Sequence, residues 1–475
     1  MEKNFLNFTR ILFLLPSLLL MQCADSELKL KSDSPLSMAS VETATLSATD
    51  CATCTYVVPP DSLIVDGSVL GLLPGSVIGL SASVSYTKIL FKNIIGTEEQ
   101  PIIIKNCDGT AIINGTGLGY SMKTMNSRHF RITGGDGYQT YGIKVNGGQM
   151  SVTLDILSTN FEVDHLDIGN SGFAGIMAKT DPTCDDATIR GNFVMKNVYL
   201  HDNYVHDTGG EGFYVGNSFF EEGMTTPCGV RLPHEIHYLK IYNNIVENAG
   251  WDGIQVGCAT KTARIYGNTI KNYGTKNVGN QRNGMQLGAG TGGICYGNLI
   301  SHGTGNGMIV MGLGDNYVYN NIIVDAGAFG IFCDERYTPG PGFKFINNTI
   351  ISPKSDGIRI YADLVPMNVI VNNIIANPGS YTTYKYPRTP QDAFVYKLSK
   401  NVKIDMSNNF FTTSVDTLGI IDLPALNFKL DITSPVIDQG RDISNYNIMT
   451  DFYKKTRLKG FGYDIGAVEL QSPDL

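Results

Sequence analysis

The chain has 475 residues, a formal net charge of −8 and only 17% charged residues. No Lys/Arg cluster interrupts that acidic balance, which excludes nucleic acid as a partner, because holding a phosphate backbone leaves a basic stripe. Its 53 glycines, about 11% of the chain against a usual ~7%, suit tight turns and short buried strands better than helices.

In chain order, Lys3 and Arg10 flank the start of an apolar run, Ile11 to Met21, which Pro16 interrupts. The run is too short to span a bilayer and has the form of a secretory signal. Residues 1–22 are therefore expected to be a signal peptide and the mature protein to be exported. The run ends Leu20-Met21-Gln22-Cys23-Ala24-Asp25, which resembles a bacterial lipobox with Leu three residues before Cys, although Gln22 departs from the usual small residue. Cys23 is thus a lipidation candidate that would supply an outer-membrane lipid anchor. The alternative is ordinary cleavage and secretion. Residues 23–50 read as a polar tether.

Cys51-Ala52-Thr53-Cys54 has the form of a redox or zinc half-site, but no second such pair follows, and disulfides persist in an exported compartment. Cys184, Cys228 and Cys258 each follow a strand-like stretch, and a loop disulfide such as Cys184 to Cys228 is expected. Cys295 and Cys333 stand at interior-type positions and are expected to be free and packed.

Residues 51–115 read as short strands with turn punctuation. From Tyr199 to Tyr361 one phrase recurs, an Asn bend followed by a Gly-apolar-x-apolar strand, clearest as Tyr242-Asn243-Asn244-Ile245 leading to Gly253-Ile254-Gln255-Val256. A short period with strand-like content means a solenoid. Aligning the first apolar residue of each Gly-strand gives Ile143, Ile176, Phe213, Ile254, Met285, Met308, Ile331 and Ile358, with spacings of 33, 37, 41, 31, 23, 23 and 27 residues. The surplus over the bare turn falls in polar loops at 180–187, 217–234 and 275–281, which marks 143–285 as the wall of a cleft. The solenoid is expected over 51–425, followed by a capping segment over 426–475.

These repeats resemble the right-handed parallel β-helix superfamily typified by pectate lyases, with Asn244, Asn268, Asn298, Asn321, Asn348 and Asn373 similar to its asparagine ladder. The resemblance implies an all-β, single-domain right-handed parallel β-helix solenoid with capped ends. The tail stretches Ser434-Pro435-Val436-Ile437-Asp438 and Asp464-Ile465-Gly466-Ala467-Val468-Glu469 resemble those of exported bacterial β-helix proteins of polysaccharide-degrading or surface-adhesion type. A polysaccharide or glycan partner and a monomer follow as expectations.

Because strand side chains alternate, the x positions face outward: Lys144, Met177, Tyr214, Gln255, Gln286, Ile309, Phe332 and Arg359. Before each Gly stand Ala174, Glu211, Asp252, Asn283, Asn306, Phe329 and Asp356, so Glu211 and Asp252 are expected neighbours in one column. Coils lie ~4.8 Å apart, close to the ~5–5.5 Å carboxyl separation of retaining glycosidases, and repulsion would raise the pKa of one of the pair. Glu and Asp before Gly also serve as plain turn residues.

Lys179, one coil before Glu211, could instead act as a base of depressed pKa in β-elimination. Calcium held by Asp181, Glu211 or Asp252 would then bind a substrate acid. Tyr214, Trp251 and Phe332 are candidates for sugar stacking, Arg282 and Arg359 for clamping acid groups, and Gln255 and Gln286 for contacts to substrate. These features point to a polysaccharide-cleaving enzyme, hydrolase or lyase, or to a glycan-binding or adhesion surface.

Overall fold

The computed structural model describes residues 50–135, 140–335, 340–380 and 389–471. The expected signal segment, Cys23 and the tether up to residue 49 lie outside the described residues. Among those described, three parallel sheets of 13, 12 and 12 strands account for nearly all regular structure. Each coil contributes one strand to each sheet, and each strand pairs with its counterpart one coil away. This is a right-handed parallel β-helix.

Aliphatic residues stack in columns inside the coils. Ile241, Ile265, Cys295, Val318, Phe345 and Ile370 are in register in the first sheet, and Val246, Ile270, Ile300, Ile323, Ile350 and Ile375 in the second. Phe213, Ile254, Met285, Met308, Ile331 and Ile358 line the third. All of these are buried in one continuous core. Burial of this kind is worth about 25 cal/mol per Å² of apolar surface, and it recurs with every coil.

The asparagine column holds the bend between the first and second sheets. Asn298 Oδ1 accepts from the backbone N–H and the Nδ2 of Asn268 at 3.0 and 2.9 Å, and Asn298 donates in turn to Asn321 at 3.1 and 2.9 Å. The same pattern runs through Asn244, Asn348 and Asn373, and it extends to Asn203 and Asn409 at either end. The left-handed residue is the one before the ladder Asn, at Asn243, Gly267, Gly297, Asn320, Asn347 and Asn372. The dipeptide therefore divides two tasks, backbone reversal and hydrogen bonding between coils.

Asn298→Ala should lower stability by about 1–3 kcal/mol, because the buried Asn268 N–H loses its acceptor, whereas Asn243→Gly should be near neutral. Urea denaturation of the two variants checks this, and equal midpoints would refute the division.

A second stack stands two residues before the ladder. The rings of His201, Tyr242, Tyr266, Tyr296 and Tyr319 lie 4.4, 5.0, 5.0 and 4.9 Å apart in succession and nearly parallel. Its signal is legible as the Tyr that opens each repeat.

Two expectations are corrected. Lys144 does not precede Met177 in the outward column: strand Ile143–Gly147 belongs to the second sheet, pairing Lys144 with Asp167, and Met177 pairs with Thr153. Tyr141-Gly142-Ile143 imitates the Gly-strand phrase but sits just after the first bend, where Gly142 abuts the Asn106 amide. The outward residue one coil before Met177 is therefore Thr153, and that coil is a bare turn.

The C-terminal segment packs along the flank of the last coils. Leu418, Phe428, Leu430, Val436, Ile465, Ala467 and Val468 cover the outward residues Ile322, Val324, Ile351, Ile374 and Ala376 of the second sheet. In these coils the left-handed Asn side chains reach the tail, with Asn347 Nδ2 donating to the carbonyls of Asp464 and Gly466 at 2.9 Å each. Asn372 Nδ2 likewise donates to the Arg441 carbonyl.

Candidate functional site

The third sheet carries the outward column in the expected register, Met177, Tyr214, Gln255, Gln286, Ile309, Phe332 and Arg359. The column before each Gly also holds: the N–H of Gly212 bonds to the Asp252 carbonyl at 3.0 Å, and that of Gly253 to the Asn283 carbonyl at 2.9 Å. Glu211 and Asp252 are thus neighbours, as the spacing implies.

They are not on an open surface, however. Glu211 is 2% exposed and Asp252 fully buried. Asp252 Oδ1 accepts from the backbone N–H and the Nδ2 of Asn283 at 2.6 and 3.0 Å. Asn283 Oδ1 accepts from Asn306 Nδ2 at 2.9 Å, and Asn306 Oδ1 from the Phe329 N–H at 3.2 Å. This is a second side-chain ladder, at the turn between the second and third sheets, and Asp252 takes an Asn position in it.

Asp252 Oδ2 and Glu211 Oε2 are buried without a hydrogen-bond partner. Burial pushes the Glu211 carboxyl up to about 7, against its own backbone N–H and Lys179. Burial, helped by the charge of Glu211, pushes Asp252 up to about 8, against the Asn283 bonds. Both folded values lie above those of the unfolded chain, so the stabilisation is complete below about pH 4 and is lost as pH rises through 7 to 8. Thermal unfolding midpoints should fall over that interval. Asp252→Asn, which keeps the Oδ1 acceptor for Asn283, should flatten the fall; an unchanged slope would show that Asp252 does not titrate there.

Lys179 is also buried, at 8% exposure. Its Nζ lies 2.9 and 3.1 Å from the two oxygens of Asp181 and 4.5 Å over the Tyr214 ring. Burial opposes its charge, but Tyr214 and then Asp181 more than offset that, and its pKa is raised. This is opposite to the depression that a base requires. Asp181 is further held by Asn217 Nδ2 at 2.9 Å.

Aromatic residues border this group. Phe173 packs edge-on against Trp251 at 5.5 Å and against Tyr214 at 6.1 Å. Phe173 and Trp251 stand two residues before their glycines on coils separated by a third, and they meet because the intervening residue is Gly210, where a Cβ would lie 2.9 Å from the Phe173 ring. The column makes Phe173 findable, but Ser218, a neighbour of Tyr214 and Gln255, is not. Ser218 comes from the 217–234 loop, and its Oγ lies 3.1 Å from the Tyr214 hydroxyl and accepts from Gln255 Nε2 at 2.6 Å. Gln255, expected to face outward, is only 2% exposed, because that loop covers it.

The loops are pinned to one another. The Cys184–Cys228 disulfide forms as expected, Arg231 pairs with Asp186 at 2.9 Å, and the Arg190 guanidinium lies 3.8 Å from the Phe220 ring centre. His234, buried, accepts the Thr180 N–H at Nε2, and burial pushes its pKa down to about 4, so it is a neutral bracket rather than a ligand.

Further along the axis, Gln286 is half-buried in the outward column. Arg282 donates to Asn277 Oδ1 and lines a cleft of about 690 Å³ with Thr304, Ser352 and Lys354. Arg359 is engaged by Asp356 at 2.7 Å. A concavity of about 650 Å³ at Ser68, Asn93, Arg128 and His129 lies elsewhere, and neither space is lined by Glu211 or Asp252.

Asp181, Glu211 and Asp252 do not fit calcium. Among the described residues, the groups of three whose ligand atoms converge are Cys51, Cys107 and Asp108, and Glu162, Asp164 and His201. Asp181 is neutralised by Lys179, and Glu211 and Asp252 hold on to their protons. In the second group Arg131 already occupies Asp164 at 2.7 Å.

A family model described as a right-handed β-helix region matches residues 228–411. Among solved structures, the chain is similar to pectate lyase Pel9A, at 13% identity over 88% of this chain and 97% of that one, with a TM-score of 0.48. It is similar to the GH136 lacto-N-biosidase from Eubacterium ramulus, at 14% identity over 76% and 68%, with a TM-score of 0.48. The alginate lyase from Paenibacillus sp. str. FPU-7 matches at 15% identity over 75% and 100%, with a TM-score of 0.39. No curated protein sequence matches the chain.

Proposed function

We propose that this protein is an exported polysaccharide hydrolase whose reaction centre lies on the third sheet between Phe173 and Gln286. The observation that carries the reading is the contrast between two acids: Glu211, buried and holding its proton near neutrality, and Asp181, a carboxylate paired with Lys179. A proton-bearing acid and a second carboxyl group are what glycoside hydrolysis requires.

Glu211 would protonate the leaving oxygen. Asp181 would stabilise positive charge at the sugar or activate water, while Lys179 and Asn217 orient it. Tyr214, Trp251 and Phe173 would supply the sugar-stacking surface, and Gln286 and Arg282 would extend contacts along the axis. Asp252 and Gln255 support this layer from beneath. β-Elimination is less well supported, because Lys179 stays charged.

A second reading, glycan binding without turnover, is favoured by the 2% exposure of Glu211. A panel of neutral and acidic polysaccharides, followed by reducing ends and by absorbance of unsaturated uronates, separates the readings. Reducing ends without new absorbance are expected. New absorbance would mean a lyase, and retained binding with neither signal would mean a binding protein.

A further inference from the structure

Cys258, Cys295 and Cys333 are fully buried free thiols, whereas the free thiol of Cys54 is half-buried. Cys54 closes a single 3-10 turn, Cys51–Thr53, that begins at Asp50. Cys51 is bonded to Cys107 at the end of strand Ile102–Cys107, so the CxxC pair is divided between a disulfide and a thiol.

The sulfurs of Cys54 and Cys107, which are not bonded to each other, converge on Gly79. A Cβ there would stand 2.7 Å from Cys54 Sγ and 3.0 Å from Cys107 Sγ. Gly79 is a strand residue paired with Val57 and Lys105, and its backbone is not left-handed. What it contributes is space, a missing side chain over which both sulfurs lie. The Cys54 thiol therefore shares the space over Gly79 with the Cys51–Cys107 bond at the first coils of the stack.

We propose that Cys51, Cys54 and Cys107 form an intramolecular thiol–disulfide exchange site. The Cys54 thiolate attacks Cys107 Sγ, a Cys54–Cys107 bond forms as the Cys51–Cys107 bond breaks, and Cys51 leaves as a thiolate. Cys51 then takes up a proton in place of the one Cys54 released, so nothing is oxidised or reduced overall. In either state the turn stays joined to the stack through the buried Cys107, while the reactive thiol moves between positions 51 and 54.

Burial raises the Cys54 pKa, Lys105 opposes that, and Asp108 and Asp50 add to it. Since the thiolate is the nucleophile, exchange accelerates as pH rises, about tenfold per unit while the thiol remains mostly protonated.

Alkylation of the intact protein at pH 6 and at pH 8.5, with non-reducing peptide sequencing, tests this. At pH 6 the label should sit on Cys54; after incubation at pH 8.5 separate molecules should carry it on Cys51 or on Cys54. Cys51→Ser, with dissolved oxygen as the oxidant of its two remaining thiols, should form a Cys54–Cys107 bond, and Cys54→Ser should leave Cys51 unlabelled at both pH values. Label confined to Cys54 at every pH, or a folded C51S protein with free thiols at both Cys54 and Cys107, would overturn the proposal. Should C51S not fold, the wild-type label distribution decides alone.

Discussion

Arg457→Ala is expected to destabilise the protein by about 3–5 kcal/mol, the cost of breaking one side of a buried ion pair. Arg457 is almost wholly buried; its Nη1 donates to Glu469 Oε2 at 3.1 Å, and its Nη2 donates to Asn320 Oδ1 at 2.6 Å and to the Gly466 carbonyl at 2.8 Å. Burial opposes its charge and lowers its pKa, so the pair persists through geometry. Glu469 also accepts the N–H groups of Leu458, Lys459 and Asp464 at 2.9, 3.2 and 3.2 Å. Removing the guanidinium leaves that carboxylate buried without a counter-charge, and it loosens the tail from Ile322, Ile351 and Ile374. Arg457→Met combined with Glu469→Gln removes both charges and should recover most of the loss. Urea denaturation gives the comparison, and a single variant within about 1 kcal/mol of wild type would show that the tail is held by its apolar contacts alone.

Glu211→Gln is expected to lower kcat for polysaccharide hydrolysis by 100-fold or more, the range associated with loss of a general acid, with KM little changed. The amide keeps the shape of the side chain but has no proton to give at the leaving oxygen. Activity of the native protein should decline above about pH 7, where the Glu211 carboxyl ionises, and that limb should vanish from any residual activity of E211Q. The measurement is a pH series of kcat on the polysaccharide that the panel identifies, with thermal unfolding to verify the fold. E211Q retaining full activity would remove Glu211 from the chemistry and leave it as a buried neighbour of Asp252.

Much of the architecture was legible because it repeats. The Asn dipeptide, the Gly-strand and the apolar pair return at each coil, and a side chain's neighbour in space is the same position one period away. The column holding Glu211, Asp252, Asn283 and Asn306 was correct for that reason, and reading it to its end would have identified Asp252 as a ladder residue. The error at Lys144 has the same root: Gly142-Ile143-Lys144-Val145 has the phrase but belongs to another sheet, and a local pattern carries no label of the face it serves.

What the sequence by itself determined is the periodic part: the coils, the interior stacking, the asparagine ladder and the placing of Cys184 and Cys228 in loops of adjacent coils, where they are candidates to pair. Only the tertiary structure decided what breaks the period. It buried Glu211, covered Gln255 with the 217–234 loop, kept Lys179 charged between Asp181 and Tyr214, joined Cys51 to Cys107, and laid the tail along the flank of the last coils. The physical reason is that stacking energy is set by neighbours one coil apart, whereas burial and protonation depend on every segment that closes over a site, and those segments carry no period to align.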